Sequence, residues 1–237
     1  MKASYLSKLL DLIAPRQCAL CGRRLAPTES VVCASCQLAM PTTGYAAHPA
    51  DNPMARLFWG QLSVERAAAL MFYHRKTDVA LMIHDMKYHQ QPGLARRMGA
   101  YAARQFQREG FFDGIDVLVP VPLTRRRQWQ RGYNQSLEIC RGIAEVTGIP
   151  VDRKAVRRVA FSASQTQMTI QERRENVEAV FRLTPHADDL RGRRVLLVDD
   201  VVTTGSTMTA CGRQLCQVEG LRLSLLSLAV VQPSRLA

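Results

Sequence analysis

The fold is decided by one stretch of the chain, Val195-Leu-Leu-Val-Asp-Asp-Val-Val-Thr-Thr-Gly-Ser-Thr207. Its first four residues are apolar, as in a strand that is buried in a parallel sheet. Asp199 and Asp200 follow where this strand is expected to end, and a loop of glycine and small hydroxyl residues comes next. Beyond the loop, apolar residues recur every three or four positions from Met208 to Val218, which predicts a helix with one buried face.

This order of strand, acidic pair, loop and helix is typical of a site for a phosphorylated sugar. A helix N-terminus offers unpaired N–H groups and a positive dipole end to a phosphate. Glycine lets the backbone come close, and the hydroxyls add donors. The expected phosphate-binding residues are Thr203, Thr204, Gly205, Ser206 and Thr207. The carboxylates of Asp199 and Asp200 can accept hydrogen bonds from ribose hydroxyls, directly or through Mg²⁺. For an Asp-Asp pair alone, an ordinary capped strand-to-helix turn would be the simpler interpretation.

Other phosphate-binding motifs are absent from the sequence, which contains neither a Walker loop nor a Gly-x-Gly-x-x-Gly fingerprint. The pattern as a whole resembles the signature of the type I phosphoribosyltransferases, which hold 5-phosphoribosyl-1-pyrophosphate (PRPP). The resemblance implies an α/β fold with a mainly parallel sheet flanked by helices. It also implies that Asp199 and Asp200 meet the ribose hydroxyls while the loop that follows wraps the 5-phosphate.

Composition is compatible with that fold and points to anionic partners. A chain of 237 residues has room for one α/β domain and a small appendage. Apolar residues make up 47% of it and charged residues 22%, as in a globular protein with a core. The net charge of +12 favours phosphorylated metabolites, nucleic acid or an acidic membrane surface, and composition does not choose among them.

The N-terminus lacks the features of a secretory signal, because Lys8 and Asp11 interrupt its apolar residues and no small-residue cleavage site follows. The spacing from Leu6 to Ile13 predicts a short amphipathic helix that ends before Pro15. No apolar run reaches the roughly 18 residues that a membrane span needs. We therefore expect a cytoplasmic protein without a membrane span.

Four cysteines predict a structural zinc site near the N-terminus. Two Cys-x-x-Cys pairs are separated by eleven residues, and their members are Cys18, Cys21, Cys33 and Cys36. Two such knuckles can supply four thiolates to one ion, whose binding would provide much of the segment's folding energy. Two disulfides fit poorly with a cytoplasmic chain of seven cysteines, and redox chemistry of a single pair is the other alternative. His48 could replace one ligand, although nothing in the sequence requires it.

The three remaining cysteines, Cys140, Cys211 and Cys216, fall in helical patterns and are expected to be buried core thiols.

Along the rest of the chain, strands and helices alternate, which predicts a mainly parallel sheet. The predicted strands are 64–74 (a strand or hairpin), 115–121, 154–159, 180–181 and 221–231, and the predicted helices are 77–88, 94–109, 134–147 and 171–177. We predict three parts: an N-terminal helix and zinc segment over 1–45, a linker over 46–60, and the phosphoribosyltransferase-like domain over 61–237.

A basic loop is expected after the strand that ends near Val121. Between Arg125 and Tyr133 it holds four arginines and two aromatic residues. Arginine suits bidentate contacts to phosphate, so the loop could bind the far end of a ligand whose 5-phosphate lies in the 203–207 loop. The two loops would share a site if their strands are neighbours, since ligands bind at the carboxyl ends of parallel strands. A solvated basic surface and a nucleic-acid stripe with Trp129 and Tyr133 as stacking groups stay open.

The order of motifs over nearly the whole chain resembles the ComF family of competence-linked proteins, which includes the GntX-type DNA-utilisation proteins. The motifs are the four cysteines, Lys87-Tyr88, Val119-Pro-Val-Pro122, Arg131-Gly-Tyr-Asn-Gln135, Gln165 with Arg174 and Asn176, and the 195–207 signature. Tyr133 stands where the family often has Phe.

The ComF resemblance implies roles for further residues. It places the pyrophosphate against the 121–131 loop, for which we name Arg125 and Arg131. It places Gln165, Arg173 and Arg174 on or beside a flexible segment that closes over the site, and residues 162–169 are polar enough to be a mobile loop. A DNA-import machine is implied as a neighbour by this resemblance alone.

Two functional hypotheses follow. The first is a PRPP-dependent transferase that uses Mg²⁺ and joins phosphoribose to a nucleobase derived from imported DNA. The second is a non-catalytic factor that binds single-stranded DNA or a protein of the uptake machinery and uses the phosphoribosyl site as a sensor. No residue stands out as a general base, and the acceptor base is not encoded in any motif.

Overall fold

The computed structural model describes residues 15–89, 91–159 and 180–232. The predicted N-terminal helix, the polar loop over 162–169 and the helix over 171–177 lie outside the described residues. Gln165, Arg173, Arg174 and Asn176 lie outside them as well.

A four-stranded parallel sheet forms the centre of the molecule. Its strands are β1 (Val64–Tyr73), β2 (Val117–Pro120), β5 (Arg194–Val202) and β6 (Arg222–Val231). They lie in the order β1-β6-β5-β2, and every neighbouring pair is parallel. The predicted mainly parallel sheet is confirmed. The two strands that lead into the acidic signature and the basic segment are direct neighbours, so their carboxyl ends meet at one edge.

The described part of the chain also contains seven α-helices and one small hairpin. The helices are α1 (Ala34–Ala39), α2 (Pro53–Arg56), α3 (Asp78–Tyr88), α4 (Pro92–Gln107), α5 (Arg125–Arg131), α6 (Gln135–Thr147) and α7 (Ser206–Leu215). The hairpin pairs β3 (Val156–Arg158) with β4 (Phe181–Leu183) in antiparallel fashion and packs against α7. None of the described helices is long and apolar enough to cross a membrane.

Two glycines without side chains let α4 and α6 approach each other closely, and α6 also packs on β2 and β5. A Cβ on Gly99 would stand 2.2 Å from the carbonyl oxygen of Ile139, and one on Gly142 would stand 1.9 Å from that of Arg96. Only glycine fits either position, since real Cβ contacts are never that short. This tight pair fixes α6, whose first turn reaches the candidate site.

The segment that was predicted to be a linker is packed against the edge strand. Within residues 46–60, α2 contributes Met54 and Ala55 to the core, and Phe58 is fully buried. The Asn52 amide donates to the Ala67 carbonyl at 2.8 Å, and Pro49 accepts from the Ala67 N–H at the same distance. Main-chain groups at the open edge of β1 are thereby paired. The domain boundaries stay a prediction, but this stretch is not an unstructured connection.

Three local predictions need correction. Asp199 and Asp200 lie inside β5 rather than beyond it, because the strand stays paired with β6 as far as Val202. Residues 125–131 form the helix α5 rather than a loop. Cys216 is exposed, because α7 ends at the preceding residue, whereas Cys140 and Cys211 are buried as predicted.

Candidate functional site

The predicted phosphate loop, residues 203–207, runs from the end of β5 into the first turn of α7. Gly205 is the N-cap of α7 with a φ of 79°, and no side chain caps this helix. The first-turn N–H groups of a ten-residue helix are therefore directed at the loop. Thr203, Thr204 and Ser206 are exposed, and the Thr204 hydroxyl donates to the Ser206 hydroxyl at 3.2 Å. The loop is thus built from donors with a positive dipole end behind them, which suits an anion.

The Phe58 ring packs against this loop at Gly205. A Cβ on Gly205 would stand 3.0 Å from the Phe58 ring, so the loop backbone rests almost directly on the aromatic side chain. Sequence patterns gave no indication of this contact, because Phe58 belongs to the predicted linker. The small concavity above it is lined by Asp199, Val201, Val202, Thr203, Gly205, Ser206, Thr207 and Met208.

The Asp199 carboxylate is held in a fixed orientation. Its Oδ1 accepts a hydrogen bond from the Ser136 hydroxyl and another from the Asp200 backbone N–H, both at 2.9 Å. Ser136 belongs to the first turn of α6, where Asn134 caps the helix and also donates to the Val121 carbonyl at 3.1 Å. Burial raises the pKa of Asp199 to about 7, and the neighbouring Asp200 charge adds to the shift. The two hydrogen bonds and the Lys87 charge act in the opposite direction.

Lys87 provides the positive charge beside the acidic pair. Its Nζ lies 3.4 Å from Asp200 Oδ2, and the two side chains are only 20% and 8% exposed. The last turn of α3 carries Lys87, and the Met86 carbonyl of that turn accepts hydrogen bonds from Tyr133 and Gln135. These bonds tie the end of α3 to Tyr133 and to the first residue of α6, so Lys87 is held beside Asp200 of β5.

The two predicted pyrophosphate arginines lie at opposite ends of α5 and have different surroundings. Arg131 lies at the end of α5, donates to Gln135 Oε1 at 2.9 Å, and stands 5.6 Å from the centre of the Tyr88 ring. It is thereby adjacent to the turn that carries Lys87. Arg125 lies in the first turn of α5 and is exposed.

Arg158 is a further candidate for the site, and no motif of the sequence indicates it. It ends β3, its guanidinium stands 5.1 Å from the centre of the Phe181 ring, and among the described residues its buried Nε has no hydrogen-bond partner. Burial lowers its pKa, repulsion from Arg127 adds to this, and attraction to Asp199 opposes it. Arg158 is therefore near enough to Arg127 and Asp199 for their charges to act on it, and its Nε is left without a partner among the described residues.

The four predicted zinc ligands are brought together. Their sulfur atoms all lie within 4.8 Å of one another. Cys21 and Cys33 have their sulfurs 3.8 Å apart, which matches the roughly 3.8 Å edge of a tetrahedron built with Zn–S bonds of about 2.3 Å. Cys18 Sγ accepts from the Cys33 N–H at 3.3 Å. Hydrogen bonds from the Cys36 backbone and the Arg23 guanidinium lower the pKa of Cys33 to about 6, whereas burial and the neighbouring cysteines raise the pKa of Cys36. This cluster could hold a metal ion, and its donors suit zinc.

The raised pKa of Asp199 carries a stability cost that can be measured. Since the Asp199 pKa is about 7 in the folded protein against an ordinary 3.8, the unfolded chain ionises first, and folding stability falls as the pH rises between these values. We expect Asp199→Asn to stabilise the protein by roughly 1–3 kcal/mol at pH 8. That gain would raise the Tm by about 2–4 °C per kcal/mol. The gain should shrink as the pH is lowered to 5.5.

Scanning calorimetry without Mg²⁺ from pH 5.5 to 8.5 tests this expectation. Asp189→Asn, at an exposed position, serves as the control and should leave the pH profile unchanged. If Asp199→Asn is less stable than wild type at pH 8, the ionised Asp199 carboxylate does not lower the folding stability as expected.

Comparisons with known proteins show the family of the chain. The phosphoribosyl transferase domain family matches residues 86–230. The DNA utilization protein YhgH of Salmonella typhimurium is 30% identical over 208 residues, which cover 83% of this chain and 89% of that protein. Competence protein F of Haemophilus influenzae is 28% identical over 206 residues, which cover 84% and 90% of the two chains.

Solved structures with distant likeness include two enzymes. The glutamine PRPP amidotransferase of B. subtilis shares 17% identity with a TM-score of 0.38, over 57% of this chain and 26% of that one. The adenine phosphoribosyltransferase of Saccharomyces cerevisiae shares 18% identity with a TM-score of 0.38, over 61% and 72% of the two chains.

Proposed function

This chain belongs to the ComF family of phosphoribosyl transferase domain proteins, and from that premise we propose that it binds PRPP or a closely related phosphoribosyl ligand. The observation that carries the proposal is the uncapped N-terminus of α7, which follows the acidic pair by only a few residues. Asp199 and the loop line the same small concavity, so a phosphate at the helix and a ribose at the carboxylates could belong to one sugar phosphate.

In this proposal each end of the ligand has its own set of residues. Residues 203–207 bind the 5-phosphate through backbone N–H groups and hydroxyls. Asp199 and Asp200 accept hydrogen bonds from the ribose hydroxyls. Arg131 and Arg158 bind the pyrophosphate, supported by the exposed Arg125 and, by family resemblance, by Gln165 and Arg174.

Two metal ions have different parts in the proposal. The carboxylate oxygens of Asp199 and Asp200 are the hard donors that Mg²⁺ prefers, so the residues fit a Mg²⁺-bound ligand. When bound, Mg²⁺ would neutralise charge on the pyrophosphate. Zinc is proposed at Cys18, Cys21, Cys33 and Cys36, where it would be structural because four thiolates leave no open position.

If the protein turns its ligand over, the reaction is a displacement at the anomeric carbon. A nitrogen of the acceptor base forms a bond to this carbon and gives up its proton to solvent, as the bond to the pyrophosphate oxygen breaks. The bonding electrons leave with the pyrophosphate, where Arg131 and Arg158 would stabilise the charge. The acidic pair would stabilise the positive charge that develops on the ribose ring. We propose a base from imported DNA as the acceptor, in line with relatives that are named for DNA utilization and competence.

We further propose, from the family resemblance, a cytoplasmic role next to proteins of a DNA-uptake machinery. A second candidate function is the binding of single-stranded DNA. It is favoured by α5, where Trp129 is 86% exposed and stands among the exposed Arg125, Arg126 and Arg127. Bases can stack on an exposed aromatic ring while arginines contact the phosphates.

Salt dependence separates the two candidates. We expect PRPP with Mg²⁺ to bind the zinc-loaded protein in titration calorimetry at both 50 and 500 mM salt. An oligonucleotide held by three arginines should lose about a hundredfold in affinity over this range. Trp129→Ala should weaken DNA binding and leave PRPP binding unchanged. If PRPP fails to bind at both salt concentrations, the phosphoribosyl proposal is refuted. If single-stranded DNA fails to bind at 50 mM salt, the DNA-binding candidate is refuted.

A further inference from the structure

A second group of metal-ligating side chains lies at the end of α3, outside the residues assigned above. His84, Asp85 and His89 each have a ligand atom within 4.8 Å of those of the other two. All three are accessible, since their side chains are 55%, 38% and 58% exposed.

Local helix geometry brings the three side chains together. Asp85 and His89 are one turn apart, and the His89 backbone N–H donates to the Asp85 carbonyl at 3.0 Å, so His89 caps the helix. The His84 and His89 rings have their centres 5.4 Å apart and meet edge to face. Asp85 Oδ1 lies 3.8 Å from Nδ1 of His84 and 2.9 Å from Nδ1 of His89. Because every residue of the group belongs to one helix end, the arrangement does not depend on distant packing.

The donor set selects a class of ion. Two imidazoles and one carboxylate suit Zn²⁺, Ni²⁺, Co²⁺ and Cu²⁺, whereas Mg²⁺ and Ca²⁺ prefer oxygen ligands alone. The C-terminal end of a helix carries a partial negative charge that attracts cations. Lys87 is the cation nearest in sequence, and its charge is already paired with Asp200. A small rotation of the His89 ring would exchange its contact with Asp85 for shared ligation of an ion.

We propose that His84, Asp85 and His89 form a binding site for one divalent transition-metal ion, distinct from the four-cysteine cluster. The three ligands leave the remaining coordination positions open to water, so the ion would be exchangeable rather than structural. This proposal does not rest on PRPP binding.

The position of this site links it to the phosphoribosyl site. The His84 ring lies 4.7 Å from the Tyr88 ring, which in turn lies 5.6 Å from the Arg131 guanidinium. Lys87 is on the same helical turn. A bound ion would restrain the turn that presents Lys87 to Asp200.

Nickel titration of untagged, zinc-loaded protein tests the proposal, since Ni²⁺ can bind imidazole and carboxylate while the cysteines are occupied. We expect wild type to bind one equivalent of Ni²⁺ per chain and His84→Ala/His89→Ala to lose it. His74→Ala/His186→Ala removes two other exposed histidines and should retain the equivalent. Equal binding by both double variants, or no binding by wild type, would overturn the proposal.

Cobalt spectroscopy provides a second measurement. Co²⁺ at the proposed site should show weak d–d bands without the thiolate charge-transfer bands of a cysteine site. Asp85→Asn should weaken the affinity while leaving the fold intact. A spectrum with thiolate bands from the zinc-loaded protein would assign the added ion to cysteines and refute the histidine site.

Discussion

Gly205→Val is expected to abolish tight binding of PRPP while the rest of the protein stays folded. Residue 205 has a φ of 79°, and an added Cβ would stand 3.0 Å from the Phe58 ring. Valine must therefore adopt a strained backbone and move the loop away from the aromatic ring that supports it. Since the N–H donors of the loop move with it, we expect the Kd for PRPP to rise by about a hundredfold or more, equivalent to roughly 3 kcal/mol.

Gly60→Val is the matched control for the Gly205 variant. Gly60 also has a positive φ, 72°, but a Cβ there would meet nothing within 4 Å. Both variants carry the backbone strain of about 1–2 kcal/mol, and only the first distorts the phosphate loop. Thermal unfolding and calorimetry with PRPP measure the two effects separately. Equal PRPP affinity of the Gly205 variant and the control would mean that the phosphate does not bind at this loop.

Removal of zinc is expected to unfold the four-cysteine segment. The described residues of this segment bury only a few apolar side chains, among them Leu25, Val31 and Val32. Structural zinc sites in small domains contribute about 10–16 kcal/mol of apparent binding free energy, more than such a core can replace. Cys33→Ala should therefore lose the zinc ion and expose residues 16–40 to proteases.

Elemental analysis and limited proteolysis check this expectation. Cys216→Ser serves as the control, because this cysteine is exposed and lies outside the cluster. It should keep the ion and the protease resistance of wild type. A zinc-free Cys33→Ala protein in which residues 16–40 stay resistant would show that the metal is dispensable for this segment.

Patterns carried by adjacent residues were sufficient to predict much of the fold. The apolar run before Asp199 gave the strand and the parallel sheet, because a strand that is buried on both faces has no room for polar residues. The spacing of the two Cys-x-x-Cys pairs gave the cysteine cluster, because each pair folds as a local knuckle.

The helix α5 was missed for an identifiable reason. None of its residues is buried, so it has no apolar stripe from which a helical period could be inferred. Its two ends could nonetheless be predicted from the sequence, since Thr124 caps its first turn and Gly132 ends it with a φ of 76°. For this helix the capping residues indicate both ends, whereas hydrophobic periodicity gives no indication of it.

Contacts between distant residues could not be predicted from local patterns. Ser136 and Asp199 are 63 residues apart, and their hydrogen bond depends on how α6 packs against β5. Lys87 was recognised as part of a family motif, but its pairing with Asp200 follows from the tertiary fold. The same holds for Arg158, whose contact with the Phe181 ring depends on the pairing of β3 with β4.

Asp199 and Asp200 are proposed to hold the ribose of a phosphoribosyl ligand. Titration calorimetry with PRPP and Mg²⁺ on wild type and on Asp199→Asn/Asp200→Asn tests this proposal most directly. Hydrogen bonds to charged groups contribute about 1.5–3 kcal/mol each, so the account predicts that wild type binds and the double variant binds at least about a hundredfold more weakly. A folded double variant that binds PRPP as tightly as wild type would contradict it.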